Sequence, residues 1–441
     1  MKHAHHHHRE RRARLISEMR SQSGGGVAAI STAPQAIRNA DTHYPFRPDS
    51  HFYYLSGFPE PEAAVVLVSG AESGDSRQVL FCREKNAERE IWDGFRYGPE
   101  AAREIFGFDE AYSIAELPAR LAEWSCDRPA LYSPLGLYAE WDQAITATLN
   151  DVRSRVRTGV AAPETVIDVR ATIAAMRLVK DADELRLMRR AAEISSGAHA
   201  RAMARTRPGW YEYQVEAELA HEFLRSGAQA VAYPSIVASG PNACVLHYRD
   251  NNRQMQASDL LLIDAGCEFE SYASDITRTF PVGGKFAGPQ KAVYELVLAA
   301  QLACIEAVAP GKPFHDYHRA AERVLAQGLV DLKLCEGSVD AVLESGAYKQ
   351  FYMHRAGHWL GLDVHDAGLY RVGGESRTLE PGMVLTVEPG CYIRPADNVP
   401  EEFWDIGVRI EDDVLVTPQG TENLTAATPK YIADVEAACA R

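Results

Sequence analysis

The sequence predicts two domains, an α/β domain followed by an α+β domain. At 441 residues the chain exceeds the roughly 250–300 residues at which one hydrophobic core stops growing. In the first part, short apolar runs at 63–68, 79–82 and 130–133 alternate with helical patterns such as 114–125, the signature of a mixed sheet flanked by helices. In the second part, strong amphipathic helices at 184–204 and 211–227 lead into a stretch that is mostly β after Gly361. That order predicts helices on one side of a curved antiparallel sheet.

Taken in order, RERRARLISEM (9–19) predicts a short basic helix, broken by Gly24, Gly25 and Gly26, and VAAIS predicts a first strand. DTHYPFRPDSHFYYLSGF reads as an aromatic loop with two prolines. In CREKNAEREIWDGFRYGPEAA, Trp92 stands among charges; an exposed Trp there marks an interface, the plain alternative being a partly buried one. Residues 163–168 read as a domain boundary, and Gly227 as a helix C-cap. YPSIVASG and ACVLHY read as strands leading to LLLIDAGCEFESYASD, a hairpin with a turn at Gly266. Pro289 opens a helix that Pro310 and Gly311 close, and His315 and His318 start the next. The opening MKHAHHHH reads as a purification tag or a natural His-rich tail and is set outside the fold. The expected domains are therefore 1–8 (tail or tag), 9–172 and 173–441.

The formal charge is −15, from 46 basic and 61 acidic residues, which argues against nucleic acid or an anionic membrane as partner. The eight cysteines form no CxxC pair, so Cys244, Cys267 and Cys391 read as reduced core residues of a cytoplasmic protein. No apolar run approaches the roughly 20 residues of a membrane-spanning helix, and no secretory signal is visible.

The chemistry concentrates in a few carboxylates. Asp264 ends the apolar run LLLI, and Asp275 follows on the returning segment, so both can point into one space. Like charges held that close repel unless a cation lies between them. Glu388 in MVLTVE and Glu411 in GVRIEDDVLV sit in apolar runs where an unpaired charge is costly. His358 in HRAGHWLGLDVH adds an imidazole. Four carboxylates and one imidazole suit two divalent metals and a bridging water. In that reading Asp275 and Glu411 bridge, Asp264 completes one metal, and His358 and Glu388 complete the other. The hydroxide attacks a carbonyl carbon, and Glu388 passes the proton to a leaving amine. The competing reading is a structural ion-pair network, with Arg409 as the obvious basic partner. His247, on a predicted strand, and His354 and His365, flanking His358, are placed to hydrogen-bond a developing oxyanion, packed or surface histidines being the plain alternative.

With these residues in view, the chain resembles the pita-bread metallopeptidases, and most closely the Xaa-Pro aminopeptidases (aminopeptidase P). The resemblance covers nearly the whole chain from about residue 9. It is strongest in HFYYLSGFPEPEA, MRLVKDADELRLMRRAAEI, YPSIVASGPNACVLHY, LLLIDAGCEFESYASDITRTFPVGGKF, YMHRAGHWLGLDVHDAG, LEPGMVLTVEPGCYI and IGVRIEDDVLVT. It implies a creatinase-like α/β N-terminal domain and a pita-bread catalytic domain. It implies Asp264, Asp275, His358, Glu388 and Glu411 as metal ligands and His247 and His365 as substrate- and intermediate-binding histidines. It implies that His354, Tyr392 and Arg409 line the pocket for the proline after the cut. Two Mn²⁺ per subunit are implied, with Co²⁺ or Zn²⁺ as alternatives, and so is a homo-oligomer, a tetramer or dimer, in which the Trp92 stretch approaches a neighbour's active site. The expected reaction releases the first residue of peptides with proline second. Arg355 departs from the family pattern by placing a charge near the pocket, which leaves the preference after proline open.

The same fold and ligands serve prolidases, which cut Xaa-Pro dipeptides. Methionine aminopeptidases share the ligands but usually lack the long N-terminal domain. Creatinase-like enzymes lack the ligands. A non-catalytic binding protein on this fold is the alternative of a different class, and metal content separates it from the enzymes.

Overall fold

In the computed structural model, residues 6–70 and 73–440 are described, and the chain divides into units of 1–177 and 178–441. The first unit opens with the helix His6–Ser23. It begins inside the histidine run expected to lie outside the fold, and His8 is buried with Nδ1 3.0 Å from the Tyr54 carbonyl. His6, His7 and His8 therefore belong to the fold; the earlier residues of the run lie outside the described ones. The helix stops where Gly24 and Gly25 take positive φ of 76° and 115°, a conformation glycine adopts without penalty.

Six strands of this unit form one mixed sheet in the order Glu110–Ser113, Arg77–Cys82, Ala64–Ser69, Gly26–Ser31, Ala130–Ser133, Thr165–Asp168, and Ile37–Asn39 pairs with Thr42–His43 in a separate two-stranded hairpin. Ala64–Ser69 pairs antiparallel with both neighbours, and the outer pairs are parallel. Val27, Val66, Phe81 and Leu131 pack into its core with Leu121 and Trp124 from a helix.

Two expectations for this region need correction. The aromatic loop contains the helix Ser50–Ser56, capped by Asp49, whose carboxylate accepts from the His51 and Phe52 amides, and closed by Gly57 in the left-handed region. The stretch at 163–168 is no linker but holds the edge strand Thr165–Asp168, in register with Ala130–Ser133. The join between the units falls at the end of the helix Arg170–Leu178, and the 172/173 boundary read from the sequence lies inside that helix.

The second unit starts with the helix Ala182–Arg205, whose Asp181 and Glu184 form a reciprocal capping box. Further helices run over Glu212–Arg225, Gly288–Ala307 and Asp316–Asp331. The β structure comes in antiparallel pieces. Leu260–Asp264 lies between Ile236–Ser239 and Thr277–Pro281, pairing Asp264 with Thr277. Val384–Val387 pairs with Asp412–Thr417, and Gly390–Ile393 with Ile406–Arg409. Leu261, Ile263, Phe280, Leu385 and Val408 join one large core with the helices, which fixes the strand ends from which the acidic residues project.

ACVLHY is not a strand. Gly240–Cys244 forms a short 3-10 turn with Gly240 at φ 53°, and His247 sits in the turn that follows. Buried Glu212 gathers donors from the Ser239 amide at 2.7 Å, Tyr248 Oη at 2.7 Å and the Arg253 amide at 2.9 Å. Those bonds tie the strand end at Ser239 to Tyr248 and Arg253. All eight cysteines are free, seven of them buried. Among the described residues no helix is long and apolar enough to cross a membrane.

Candidate metal centre

The five residues read as ligands come from four places in the second unit. Asp264 is the last residue of its strand, and Asp275 precedes the paired strand by two residues. Between them, Gly266 presses so tightly on the Ser274 backbone that any Cβ would collide, which draws the two carboxylates to one side. His358 lies in an irregular loop. That loop is laid on Val384–Val387 by bonds from the His358 amide to Thr386 Oγ1 at 3.0 Å and from the Thr386 amide to the His358 carbonyl at 2.9 Å. Gly357, at φ 154°, leaves no room for a Cβ against Thr386. Glu388 follows that strand, and Glu411 occupies the break between Ile406–Arg409 and Asp412–Thr417.

These side chains converge. Ligand atoms of Asp275, His358 and Glu411 all lie within 4.8 Å of one another. His358 Nε2 stands 3.5 Å from Asp275 Oδ2 and 3.6 Å from Glu388 Oε1. Its Nδ1 is 2.9 Å from the Trp359 carbonyl, so Nδ1 carries a proton and Nε2 is the nitrogen turned to the carboxylates. Asp264 is held by Arg409 Nη2 at 2.6 Å, so the ion pair anticipated for Arg409 exists beside the cluster. One arginine and one imidazole against four carboxylates still leave an excess of negative charge.

The electrostatics follow. Burial pushes the Glu411 carboxyl well above its ordinary range, and the charges of Asp275, Glu388 and Asp264 push the same way. Burial also raises Asp275 and lifts Glu388 to about 7 against the pull of His358 and Arg409. His358 goes up to about 9: burial alone would lower it, but its bond to Asp275 and the charge of Glu388 prevail. Asp413, just behind, is raised by burial and by Asp275, and its Oδ1 is buried without a partner. Buried, mutually repelling oxygen donors with one imidazole nitrogen are the donor chemistry of hard divalent cations. The donor set fits such ions.

The remaining candidates divide. His365 is exposed, its ring 4.2 Å from that of His358 and edge-on to it. His247 is likewise exposed, in the turn that follows Gly240–Cys244. His354 Nε2 is 2.8 Å from Tyr392 Oη, and Arg409 Nη1 donates to the same hydroxyl at 2.9 Å. These three form one bonded group beside Glu388, whose Oε2 is 3.9 Å from His354 Nδ1. Trp92 belongs to the first unit, where the helix Ala87–Asp93 buries none of its residues.

Two residues at the cluster stand out in no sequence pattern. Tyr233 Oη lies 2.6 Å from Asp264 Oδ1 and also bonds Asp275 Oδ1. Thr277 Oγ1 donates to Glu411 Oε2 at 2.6 Å. Thr277 is the cross-strand partner of Asp264, a register that only the folded hairpin fixes.

The family model described as metallopeptidase family M24 matches residues 186–418, and that of the aminopeptidase P N-terminal domain matches residues 8–132. The chain is similar to the Xaa-Pro aminopeptidase of Escherichia coli (strain K12), with 44% identity over 97% of this chain and 96% of that protein. Among solved structures, it is similar to Pseudomonas aeruginosa aminopeptidase PepP, with a TM-score of 0.95, 48% identity and 98% and 97% of the two chains covered. It is equally close in shape to zinc-substituted E. coli aminopeptidase P in complex with product, with a TM-score of 0.95, 43% identity and 99% and 98% covered. The chain belongs to metallopeptidase family M24, in the aminopeptidase P branch of the pita-bread enzymes.

Proposed function

We propose that this chain is a metal-dependent aminopeptidase that releases the N-terminal residue from peptides with proline in the second position. The observation that carries the reading is the convergence of Asp275, His358 and Glu411 within 4.8 Å in a member of this family. Asp264, Asp275, His358, Glu388 and Glu411 would hold two divalent cations, Mn²⁺ by family resemblance, with Co²⁺ or Zn²⁺ as alternatives. When bound, such ions supply Lewis acidity and a water acidic enough to serve as nucleophile near neutral pH.

The chain's own residues do the rest. Glu388 takes the proton of the attacking water and returns it to the leaving proline nitrogen. His247 and His365 donate hydrogen bonds to the oxygen on which charge develops. Tyr392, tied to both His354 and Arg409, gives the proline pocket a fixed wall. A proline nitrogen in a peptide has no hydrogen to donate, so a pocket shaped for the ring accepts what a donor-requiring site rejects.

The domain assignment in this reading is a creatinase-like domain that ends at Arg177 and a catalytic domain that begins at Leu178. The active form is a homo-oligomer, a tetramer or dimer. The exposed Ile91, Trp92 and Phe95 support a contact in which this stretch reaches a neighbouring subunit. Eight free thiols support a reducing compartment, the cytoplasm.

The test is a paired digestion. Metal-stripped protein, with and without Mn²⁺, meets an Xaa-Pro dipeptide and the same dipeptide extended by several residues, and products are read by mass spectrometry. Mn²⁺-dependent release of the first residue from the longer peptide is expected. Cleavage confined to the dipeptide would make the protein a prolidase, and no cleavage of either would return it to a binding role.

A further inference from the structure

His318 lies in the first turn of the helix Asp316–Asp331, outside the candidate metal centre. Its Nδ1 is 3.2 Å from the backbone nitrogen of Ala356. Ala356 is fully buried and sits in the loop between His354 and His358. The carbonyl of the same residue accepts the Glu388 amide at 2.8 Å. The backbone of Ala356 is thus pinned from both sides, by a helix side chain and by the strand end that carries Glu388. A buried amide N–H needs a partner, and here that partner is an imidazole nitrogen.

An amide N–H donates, so Nδ1 accepts and carries no proton. The ring proton of neutral His318 is therefore on Nε2, which faces Glu322 Oε1 at 3.3 Å. Glu322 also accepts the Tyr348 hydroxyl. The result is a run of polar contacts from Tyr348 through Glu322 and His318 to the amide of Ala356. The Tyr352 hydroxyl lies 3.5 Å from the same Nδ1, and the His315 ring centroid is 5.2 Å away.

We propose that His318 is a positioning residue for the metallopeptidase site: it sets the loop that presents His354 and His358 by accepting the Ala356 amide. The proposal rests on the function proposed above for what those histidines do, and on geometry alone for the positioning itself. Misplacement of a reacting group by about 1 Å is enough to cost roughly 100-fold in rate, so a single backbone anchor two residues from His358 has leverage.

Three variants of the full chain separate the atoms of the ring. His318→Asn keeps an acceptor close to the Nδ1 position. His318→Gln keeps reach toward Glu322 but removes that acceptor, and His318→Phe removes both bonds. Each is loaded with Mn²⁺ and assayed on an extended Xaa-Pro peptide. Each is also stripped and titrated with Mn²⁺ by calorimetry, a readout independent of turnover. The expected result is a kcat lower by at least about tenfold for Gln and Phe with KM little changed, Mn²⁺ affinity weaker by about tenfold, and recovery of most of both in Asn. Equal kcat and equal Mn²⁺ affinity in Asn and Gln would overturn the proposal, even if the Phe variant fails to fold. Mn²⁺ affinity that follows the Asn–Gln difference in a protein that cleaves no Xaa-Pro peptide would support the positioning role while refuting the proposed activity.

Discussion

Arg409 Nη2 lies 2.6 Å from Asp264 Oδ2, and both side chains are largely buried. The same guanidinium donates to Tyr392 Oη at 2.9 Å and through Nε to Thr277 Oγ1 at 3.2 Å. One cation therefore connects a candidate ligand, the wall of the candidate proline pocket and the threonine that bonds Glu411. It offsets part of the repulsion among the carboxylates but repels any divalent ion beside them.

That double role gives Arg409→Met opposite effects on two measurements. Loss of charge-assisted bonds of about 1.5–3 kcal/mol each is expected to lower kcat/KM by roughly 10–100-fold. Mn²⁺ binding to the stripped protein, measured by calorimetry, is expected to hold or tighten, because a fixed positive charge has been removed next to the ions. Weaker Mn²⁺ binding would show that Arg409 acts by shaping Asp264 and that the charge argument is wrong. Arg409→Lys should recover little, since an ammonium cannot reproduce the fork that reaches three partners at once.

Tyr233 is the second control on Asp264. A phenol has one proton, yet Tyr233 Oη lies 2.6 Å from Asp264 Oδ1 and bonds Asp275 as well. Burial and the charges of both carboxylates hold its own pKa well above the ordinary phenol value, so it stays a donor. Groups that orient ligands in this way typically alter metal affinity by 10–100-fold when removed. Tyr233→Phe is expected to weaken Mn²⁺ binding by about tenfold without changing the near-ultraviolet circular dichroism. Unchanged affinity would reduce the phenol to a packing group.

The contrast between Tyr233 and the ligands explains what was legible in the sequence. Acidic residues inside apolar runs are conspicuous, because an unpaired charge there has to be explained; Glu388 and Glu411 announced themselves that way, and Asp264 by ending LLLI. A tyrosine before a proline announces nothing. Its importance lies in contacts 31 and 42 positions away, which no local pattern encodes. The sequence marks His247 as a candidate but predicts a strand there; the turn that carries it follows Ser239, whose amide donates to Glu212, 27 positions earlier. The helix Ser50–Ser56 had readable caps in Asp49 and Gly57, but the aromatic density and flanking prolines outweighed them.

A pH prediction comes from His199, which is not one of the candidate ligands. The ring is fully buried and lies 2.9 Å from the Ala265 carbonyl, so Nε2 carries the proton of the neutral form. Burial lowers its pKa to about 4, against about 6.5 in an unfolded chain. Between those values the unfolded state binds the extra proton. Stability is therefore fully present above about pH 6.5 and is lost as pH falls toward 4, by on the order of 3 kcal/mol for this one group. His199→Gln, which keeps a donor for Ala265, should flatten the fall in Tm between pH 6.5 and 4 in thermal scans. A variant whose Tm falls as steeply as wild type would place the acid sensitivity elsewhere.

The last prediction concerns the surface of the first unit. Ile91, Trp92 and Phe95 are 80%, 83% and 65% exposed, on and just after a seven-residue helix that buries nothing. Phe95 is partly accounted for by Lys85 Nζ, 4.4 Å from its ring, and by Tyr97 edge-on at 5.1 Å. Ile91 and Trp92 have no such explanation. Large apolar groups side by side in solvent mark interaction sites, and a tryptophan at the centre of an interface commonly accounts for about 2 kcal/mol or more of binding. In the oligomer proposed above, Trp92→Ala should shift the mass measured by light scattering toward the monomer at micromolar concentration. Activity per chain should fall with it if the stretch completes a neighbour's site. Loss of assembly with full activity would confine Trp92 to the interface. Wild-type mass and wild-type activity together would remove both roles and leave an exposed tryptophan on a short helix.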